Sequence, residues 1–217
     1  MAVFFIPASA MGKKPVAVFI SEENDMFDIQ TQLFEGKDIR FGPIDHEKDA
    51  EIESKWTHDS DFMRMYDFEP ARPMSVAMVK KKYEKLEKEI EEEKNMYYFT
   101  IRAREDDRLI GKALVHRIEW SNGNAWIRLG IGSKDDQRKG YGSQALQMLL
   151  RFMFAELNLY RVAAPVQEYN EAGIALLKKF GFTEEVRRRQ ALDRDGRRWD
   201  LLVFGLLQDE WVNQAGA

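Results

Sequence analysis

The chain of 217 residues contains no cysteine and only three histidines, His46, His58 and His116. The lack of cysteine excludes disulfide bonds, thiolate nucleophiles and thiolate metal ligands. The three histidines are widely separated and form no close pair of the kind that binds zinc. We therefore expect no metal centre and a cytoplasmic location, with which a cysteine-free chain is compatible.

A strong excess of charge of one sign is also missing, as is any long apolar run. Lys and Arg number 33 against 37 Asp and Glu, and the net charge of −4 gives no reason to expect attraction to nucleic acid or to an anionic membrane. No stretch approaches the ~20 apolar residues of a membrane-spanning helix. With 44 % apolar and 32 % charged residues, the composition is that of a globular protein, and we expect neither nucleic acid nor a membrane as partner.

The N-terminal segment carries an apolar run of only about five residues with no basic residue before it, whereas a signal peptide has about 7–15 apolar residues behind positive charge. We interpret residues 1–36 as an N-terminal arm or an extra strand, and residues 37–217 as a single domain. Exposed apolar residues in such an arm would be compatible with a homodimer.

The part of the sequence before residue 95 predicts one strand and two helices. Gly-Pro punctuation ends a short strand at 38–45, and the polar segment 46–56 has a helical tendency. Ser75 suits a helix N-cap, and apolar residues at three- and four-residue spacing after it predict a helix to about residue 94. The rest of that helix, rich in Lys and Glu, is predicted to be a solvated face.

Three strand-like segments follow: MYYFTIRA, RLIGKALVHRIEW and NAWIRLGIG. Asn122-Gly123 supplies the positive φ angles of a tight turn between the second and third, so the three should form an antiparallel meander. A helix of about sixteen residues, the strand YRVAAPVQ, the helix NEAGIALLKKF and two strands joined by Asp195-Gly196 complete the chain. The strands flanking the first of these helices should be parallel neighbours, which predicts an α/β (α+β) class with a mixed, mostly antiparallel sheet and one central parallel pair.

The segment QRKGYGS, residues 137–143, joins the third meander strand to the following helix. A helix N-terminus presents unpaired N–H groups and the positive end of the helix dipole, and Gly140 and Gly142 let an anion approach that backbone closely. Arg138 and Lys139 add positive charge, and Ser143 adds a hydroxyl. The spacing by itself supports a phosphate site and a plain helix start about equally.

Two familiar phosphate loops fit this turn less well. The order Gly, four residues, Gly-Lys and Ser or Thr of a Walker A loop is absent. Gly140, Gly142 and Ala145 satisfy the dinucleotide fingerprint, but they follow an antiparallel meander, and no acidic residue closes the next strand at about twenty residues. A Gly-x-Ser-x-Gly nucleophile elbow is also missing.

The segment QRKGYG resembles the Gln/Arg-x-x-Gly-x-Gly/Ala signature of the GNAT superfamily of acyl-CoA-dependent N-acetyltransferases. LGIG before it and LYRVAAPVQEYNEAGIALLKKFGF after it are similar to that family's flanking elements, apart from Gly173, where Ala or Ser is usual. The late DGRRWDLLVFGLLQDEW resembles the Rim-type branch of ribosomal-protein N-terminal acetyltransferases and spermidine acetyltransferases. The resemblance extends from Gly36 to Trp211 and is most specific from Asn124 onward.

The resemblance implies that the third meander strand and the next parallel strand splay apart and hold the acyl-pantetheine arm of acetyl-CoA. It also implies that Asn170 contacts this arm, although Asn170 would equally suit a helix N-cap. The other cofactor-binding residues that it implies are the backbone of Ile131, Gly132 and Ser133 at the arm, and Gln137, Arg138, Lys139, Gly140, Tyr141, Gly142 and Ser143 around the pyrophosphate.

A member of this family would move the acetyl group to a primary amine by direct attack in a ternary complex, without a metal. The amine must be neutral to attack, which costs about 4–5 kcal/mol at pH 7 for a lysine-like nitrogen and about 1 kcal/mol for an α-amino group. A different class of function stays open, namely a non-catalytic acyl-CoA-binding or interaction module on the same fold.

The two usual acid–base positions of the family hold other residues here. Trp126 or a neighbour stands where many relatives have Glu, and Leu177 stands where many have Tyr. We predict Glu119 and His116 as replacement bases, only one of which should face the cleft because side chains alternate along a strand, and Tyr169 as a replacement acid. Each of the three could instead be a surface or packing residue.

The sequence is compatible with two kinds of acceptor amine. The small inventory of bases favours an amine of low pKa, such as a protein or peptide N-terminus. The acidic residues Asp59, Asp61 and Glu69 would instead suit a polyamine.

Overall fold

The computed structural model describes residues 32–215, so the predicted N-terminal arm up to residue 31 lies outside the described residues. The strands are β1 (Ile39–Gly42), β2 (Tyr97–Ala103), β3 (Leu109–Glu119), β4 (Asn124–Ile131), β5 (Arg161–Gln167), β6 (Thr183–Arg194) and β7 (Arg197–Leu207). The helices are α1 (Lys48–Thr57), α2 (Ser60–Tyr66), α3 (Val76–Glu93), α4 (Tyr141–Arg151), α5 (Glu171–Lys179) and α6 (Gln208–Ala215). A 3-10 turn (Lys134–Asp136) precedes α4 and a π-helical turn (Phe152–Glu156) extends it.

The seven strands form one sheet in the order β1-β2-β3-β4-β5-β7-β6. All neighbouring strands are antiparallel except β4 and β5. The crossover through α4 makes these two strands parallel. The predicted class, a mixed and mostly antiparallel sheet with one central parallel pair flanked by helices, is confirmed.

Strands β4 and β5 separate soon after they begin. Their pairing runs from Asn124, beside Arg161, to Trp126, beside Ala163. We call this last pair the splay point. Within the described residues both strands continue beyond the splay point without pairing to each other. The main-chain N–H and C=O groups that face this gap are therefore available to a ligand.

Helices cover both faces of the sheet. Leu146 and Leu149 of α4 are buried in the largest apolar cluster together with Ile101 of β2 and Val162 of β5. Each fully buried leucine contributes about 2 kcal/mol, so α4 is a main anchor of the sheet on that face. On the opposite face α1 packs on β3, where Glu53 bonds to a lysine of the strand.

Several local predictions are confirmed. Ser75 begins α3 by accepting a hydrogen bond from the N–H of Met78 at 3.3 Å. The helix after the glycines extends from residue 141 to 156 when its π-helical turn is included. Asp195 and Gly196, with φ of 52° and 70°, form the turn between β6 and β7, as a hairpin turn with two left-handed residues requires.

The turn between β3 and β4 differs from the prediction. Residues 120–123 connect the two strands, and of the pair Asn122-Gly123 only Gly123 has a positive φ, 64°. Arg117, with φ of 52°, interrupts the register at the end of β3, so a two-residue turn does not close the hairpin. The side chain of Asn122 instead donates to the carboxylate of Glu119 at 3.1 Å.

Helices α2 and α6 are not predicted by the sequence patterns. Helix α2 has seven residues, too few for a hydrophobic period to be visible. Its start is fixed by Asp59, which accepts hydrogen bonds from the N–H groups of Asp61 and Phe62. None of the helices in residues 32–215 is both long and apolar enough to cross a membrane.

Candidate active site

The glycine turn forms the start of α4. Gly140 is the N-cap with φ of 86°, and Arg138 has φ of 60°, so two left-handed residues turn the chain into the helix. No side chain in the described part of the chain caps α4. The N–H groups of its first turn are therefore available to an anion, and the helix dipole adds a positive potential there.

A buried carboxylate just before this turn is neutralised by an arginine. Asp136 accepts two hydrogen bonds of 2.6 Å from the guanidinium of Arg108, and Lys139 Nζ lies 3.7 Å away. The hydrogen bonds from Arg108 hold the pKa of Asp136 below its ordinary value. Asp136 thus anchors the turn without repelling an anion, and the sequence analysis missed this pair because Arg108 lies on a different part of the chain.

A cleft of about 730 Å³ lies between α2, the end of β4, the glycine turn and α5. Its size is typical of sites for small molecules and cofactors. Gly142 lines it together with Leu176 and Ile131, from which a Cβ at position 142 would lie 3.8 and 3.9 Å away. The predicted cofactor-binding residues that line the cleft are Ile131, Gln137, Arg138, Gly140, Gly142, Ser143 and Asn170, whereas Gly132, Ser133, Lys139 and Tyr141 lie next to it in the chain without lining it.

Gly130 of β4 and Gly132, just after that strand, let aromatic rings lie directly on the backbone there. A Cβ on Gly130 would be 2.5 Å from the ring of Tyr66, and a Cβ on Gly132 would be 2.1 Å from the indole of Trp56. The N–H of Gly132 donates to the carbonyl of Ile110 on β3 at 2.9 Å. The end of β4 that borders the cleft is therefore held by β3 on one side and by these rings on its face.

The end of β5 and the residues after it form hydrogen bonds to α2 on the other side of the cleft. Asn170 uses its Oδ1 to accept from the N–H of Gly173 at 2.9 Å, so it is the N-cap of α5, as the sequence allows. Its contact with a pantetheine arm stays a prediction. Three side chains donate to carbonyl groups at or just after the end of α2: Gln167, the last residue of β5, to Asp67 at 3.2 Å, Tyr169 to Arg64 at 3.1 Å and Asn170 to Met65 at 3.2 Å.

Charged side chains pair along the walls of the cleft. Lys134 Nζ lies 3.4 Å from a carboxylate oxygen of Asp59 and 3.4 Å from one of Asp61, and the hydrogen bond that Lys134 donates to Asp59 raises the pKa of Lys134. Two of the acidic residues that suggested a polyamine thus already have a cation of the protein as partner. Lys179 Nζ donates to the hydroxyl of Ser143 at 3.3 Å and places another positive charge beside the glycine turn.

Two of the predicted proton-transfer residues lie near the gap between the strands. Tyr169 lines the cleft, and burial raises the pKa of its hydroxyl. His116 is half-buried directly opposite Trp126, the last residue of β4 that pairs with β5. Burial, followed by the charge of Arg128, lowers the pKa of His116 to about 4, and its Nε2 is buried without a hydrogen-bond partner in the described structure.

Glu119 lies away from the cleft, beside the first residue of β4. It is exposed, and hydrogen bonds from the side chains of Asn122 and Asn124 lower its pKa. The register irregularity between His116 and Glu119 breaks the regular alternation on which the sequence analysis relied. The fold thus brings Tyr169 to the cleft and His116 to the splay point, and it leaves Glu119 outside both. Within residues 32–215 no group of three or more His, Asp or Glu side chains is arranged to hold a metal ion.

The family of the chain follows from comparison with known sequences. Residues 38–183 match the acetyltransferase (GNAT) domain family. Because this match covers more than half of the 217 residues, the chain belongs to the GNAT family of acetyltransferases.

Curated relatives carry names consistent with that family. An uncharacterized N-acetyltransferase, p20 of Bacillus licheniformis, is 34 % identical over 114 residues, which are 52 % of this chain and 64 % of the relative. YdaF of Bacillus subtilis (strain 168), provisionally named a ribosomal N-acetyltransferase, is 34 % identical over 109 residues, which are 50 % of this chain and 59 % of the relative. The matched segment thus spans less than two thirds of either relative.

Solved structures share the fold. Spermidine N-acetyltransferase from Vibrio cholerae, solved in complex with CoA and spermine, superposes with a TM-score of 0.70 at 20 % identity, over 82 % of this chain and 100 % of that chain. A GCN5-related N-acetyltransferase from Brucella melitensis superposes with a TM-score of 0.68 at 21 % identity, over 84 % of this chain and 82 % of that chain. Ribosomal and spermidine N-acetyltransferase names among these proteins agree with the resemblance to the Rim-type branch.

Proposed function

We propose that the protein is an N-acetyltransferase that moves the acetyl group of acetyl-CoA to a primary amine in a ternary complex. The observation that carries this proposal is the gap between β4 and β5 with the uncapped start of α4 at one end. An acyl-pantetheine arm can bond to the free strand edges while its pyrophosphate lies on the helix N-terminus. Membership of the GNAT family supports acetyl-CoA as the co-substrate.

The backbone of β4 has groups suited to the pantetheine arm. Because Gly132, just after the strand, donates to β3, alternation turns the main-chain groups of Ile131 and the N–H of Ser133 towards the gap, while the carbonyl of Ser133 accepts from Asp136. Gln137 already donates to the carbonyl of Ile131 at 3.3 Å, which leaves the N–H of Ile131 for the ligand. The pyrophosphate takes the N–H groups of residues 141–143, with Arg138 and Lys139 beside them.

The thioester in this proposal lies at the splay point. The N–H group of Leu129, which faces the gap beyond the last residues that pair with β5, polarises the thioester carbonyl and stabilises the oxyanion that forms on attack. Tyr169 protonates the departing thiolate, since its raised pKa keeps the hydroxyl protonated at pH 7. His116 is neutral at that pH and is the proposed acceptor of the amine proton, although its Nε2 is buried and His116 does not itself line the cleft.

The proposed acceptor is an amine of low pKa, such as the α-amino group of a protein or peptide. A histidine with a pKa of about 4 is a weak base, and an α-amino group needs only about 1 kcal/mol to become neutral at pH 7. The pairing of Asp59 and Asp61 with Lys134 supports this choice over a polyamine. We further propose that residues 37–217 form one domain, that the protein is cytoplasmic and that it forms a homodimer.

Calorimetric titration with acetyl-CoA, followed by an assay of CoA release with peptide and polyamine acceptors, tests the proposal. Saturable binding with CoA release on addition of a peptide is the expected result. Binding without turnover of any amine would favour a non-catalytic acyl-CoA-binding module. No binding by the folded protein would overturn both functions.

A further inference from the structure

Two charged side chains are buried together beneath the wall of the cleft. Glu53 of α1 and Lys112 of β3 are 1 % and 3 % exposed, and Lys112 Nζ lies 2.6 Å from Glu53 Oε1. Lys82 Nζ lies 2.9 Å from the same oxygen, and the hydroxyl of Tyr83 donates to Oε2 at 2.8 Å. A buried ion pair is seldom more stable than apolar residues of the same volume, so stability alone does not explain it.

The ammonium of Lys112 also contacts an aromatic ring that lines the cleft. Its Nζ lies 4.4 Å from the centre of the Tyr66 ring, within the range of a cation–π interaction. Tyr66 in turn lies on Gly130, the residue of β4 directly opposite Lys112. Phe62 stacks on Tyr66, with ring centres 5.6 Å apart and an interplanar angle of 19°.

We propose that Lys112 is a positioning residue for acyl-CoA, which holds Tyr66 of α2 on Gly130 and so fixes the end of β4 at the edge of the cleft. The inference rests on the proposed function, because it concerns the same cleft. Helix α2 is only seven residues long, so its place depends on contacts such as this one. Glu53 keeps the ammonium in place and supplies the opposite charge that its burial requires.

A matched control lies on the same helix. Asp49 of α1 and Arg102 of β2 form another buried pair, 0 % and 8 % exposed, with Nη2 and Oδ2 2.6 Å apart. Neither residue lines the cleft. Loss of Arg102 leaves Asp49 without this partner, and loss of Lys112 leaves Glu53 with Lys82 as its remaining cation, so either change should lower the stability of the fold. Only the loss of Lys112 should change the cleft.

The test compares Lys112→Met, Lys112→Arg and Arg102→Met with the unaltered chain. The measurements are the Kd for acetyl-CoA by calorimetry, the KM and kcat for acetyl-CoA, and the urea midpoint. For Lys112→Met we expect the Kd and KM for acetyl-CoA to rise about 5- to 10-fold, as for loss of a buried cation–π contact, with kcat little changed. Lys112→Arg, which keeps the cation, should recover most of the affinity, and Arg102→Met should lower only the urea midpoint.

The outcomes separate this inference from the proposed function. If the unaltered chain binds acetyl-CoA and Lys112→Met binds it equally well, or if Arg102→Met weakens binding as much, the positioning role is wrong and the proposed function stands. If the unaltered chain does not bind acetyl-CoA, both are wrong. Should Lys112→Met fail to fold, Tyr66→Leu removes the same contact and must raise the Kd, and unchanged binding by that variant would refute the role.

Discussion

Gly132 and Trp56 are in such close contact that no side chain fits at position 132. A Cβ there would lie 2.1 Å from two atoms of the indole, which is itself buried. We therefore expect Gly132→Ala to destabilise the protein by about 2–3 kcal/mol, because either the indole of Trp56 or the backbone at residue 132 would have to move in a close-packed interior. Urea denaturation measures the change.

Gly142→Ala is the matched control for that substitution. The added Cβ would be in ordinary contact with Leu176 and Ile131, at 3.8 and 3.9 Å. Its free energy of unfolding should stay close to that of the unaltered chain. Equal stability of Gly132→Ala and Gly142→Ala would show that the contact with Trp56 is looser than described.

Gly142→Glu should abolish acetyl-CoA binding while the fold is retained. The new side chain would enter the cleft at the first turn of α4, and its carboxylate would occupy the N–H groups proposed for the pyrophosphate. Calorimetry reports binding, and circular dichroism reports the fold. Binding that survives in this variant would mean that the glycine turn is only a helix start.

Glu53 should make stability depend on pH in the acid range. Burial by itself would raise the pKa of Glu53, but Lys112 and Lys82 hold it at about 2, below its ordinary value of 4.5. The unfolded chain therefore binds this proton at higher pH than the folded protein, so the stabilisation is complete above pH 4.5 and is lost as the pH falls towards 2.

The effect of Glu53 is measured as a difference between two proteins. The free energy of unfolding of the unaltered chain and of Glu53→Gln is measured by urea denaturation at pH 3 and pH 6. The pH-dependent contribution of the carboxylate, about 3 kcal/mol when complete, should be smaller at pH 3 than at pH 6. The same difference at both pH values would contradict the low pKa of Glu53.

His116 should act in a higher pH window. Burial holds its pKa at about 4, below its ordinary value of 6.5, so the unfolded chain is protonated first as the pH falls. Stability contributed by neutral His116 is present above pH 6.5 and is lost as the pH falls towards 4. Thermal denaturation between pH 7 and pH 5 measures this effect. The stability of His116→Gln should decrease less over that range than the stability of the unaltered chain. A variant with an unchanged pH profile would show that His116 titrates normally.

Tyr169→Phe should separate catalysis from binding. If the hydroxyl protonates the thiolate, kcat should fall about 100-fold while the Kd for acetyl-CoA changes little. Loss of its hydrogen bond to the carbonyl of Arg64 should cost about 1 kcal/mol of stability. An unchanged kcat would assign the proton transfer to water or to another group.

The sequence by itself determined the features that depend on neighbouring residues. Ser75 capping α3, the left-handed pair Asp195-Gly196 and the start of α4 at Gly140 all follow from local backbone preferences. The alternation of strands and helices around α4 then predicted the parallel pair, because a crossover helix allows few arrangements. These signals were enough to locate the glycine turn and the class of fold.

Only the tertiary structure decided which distant side chains meet. Arg108 with Asp136, and Glu53 with Lys112, are far apart in the sequence, and no local pattern distinguishes them from solvated charges. The same holds for Gly132, whose need for glycine comes from Trp56 and not from its own φ angle. Such contacts depend on how whole elements pack against each other, so the local backbone and spacing preferences that define a strand, helix or turn do not contain them.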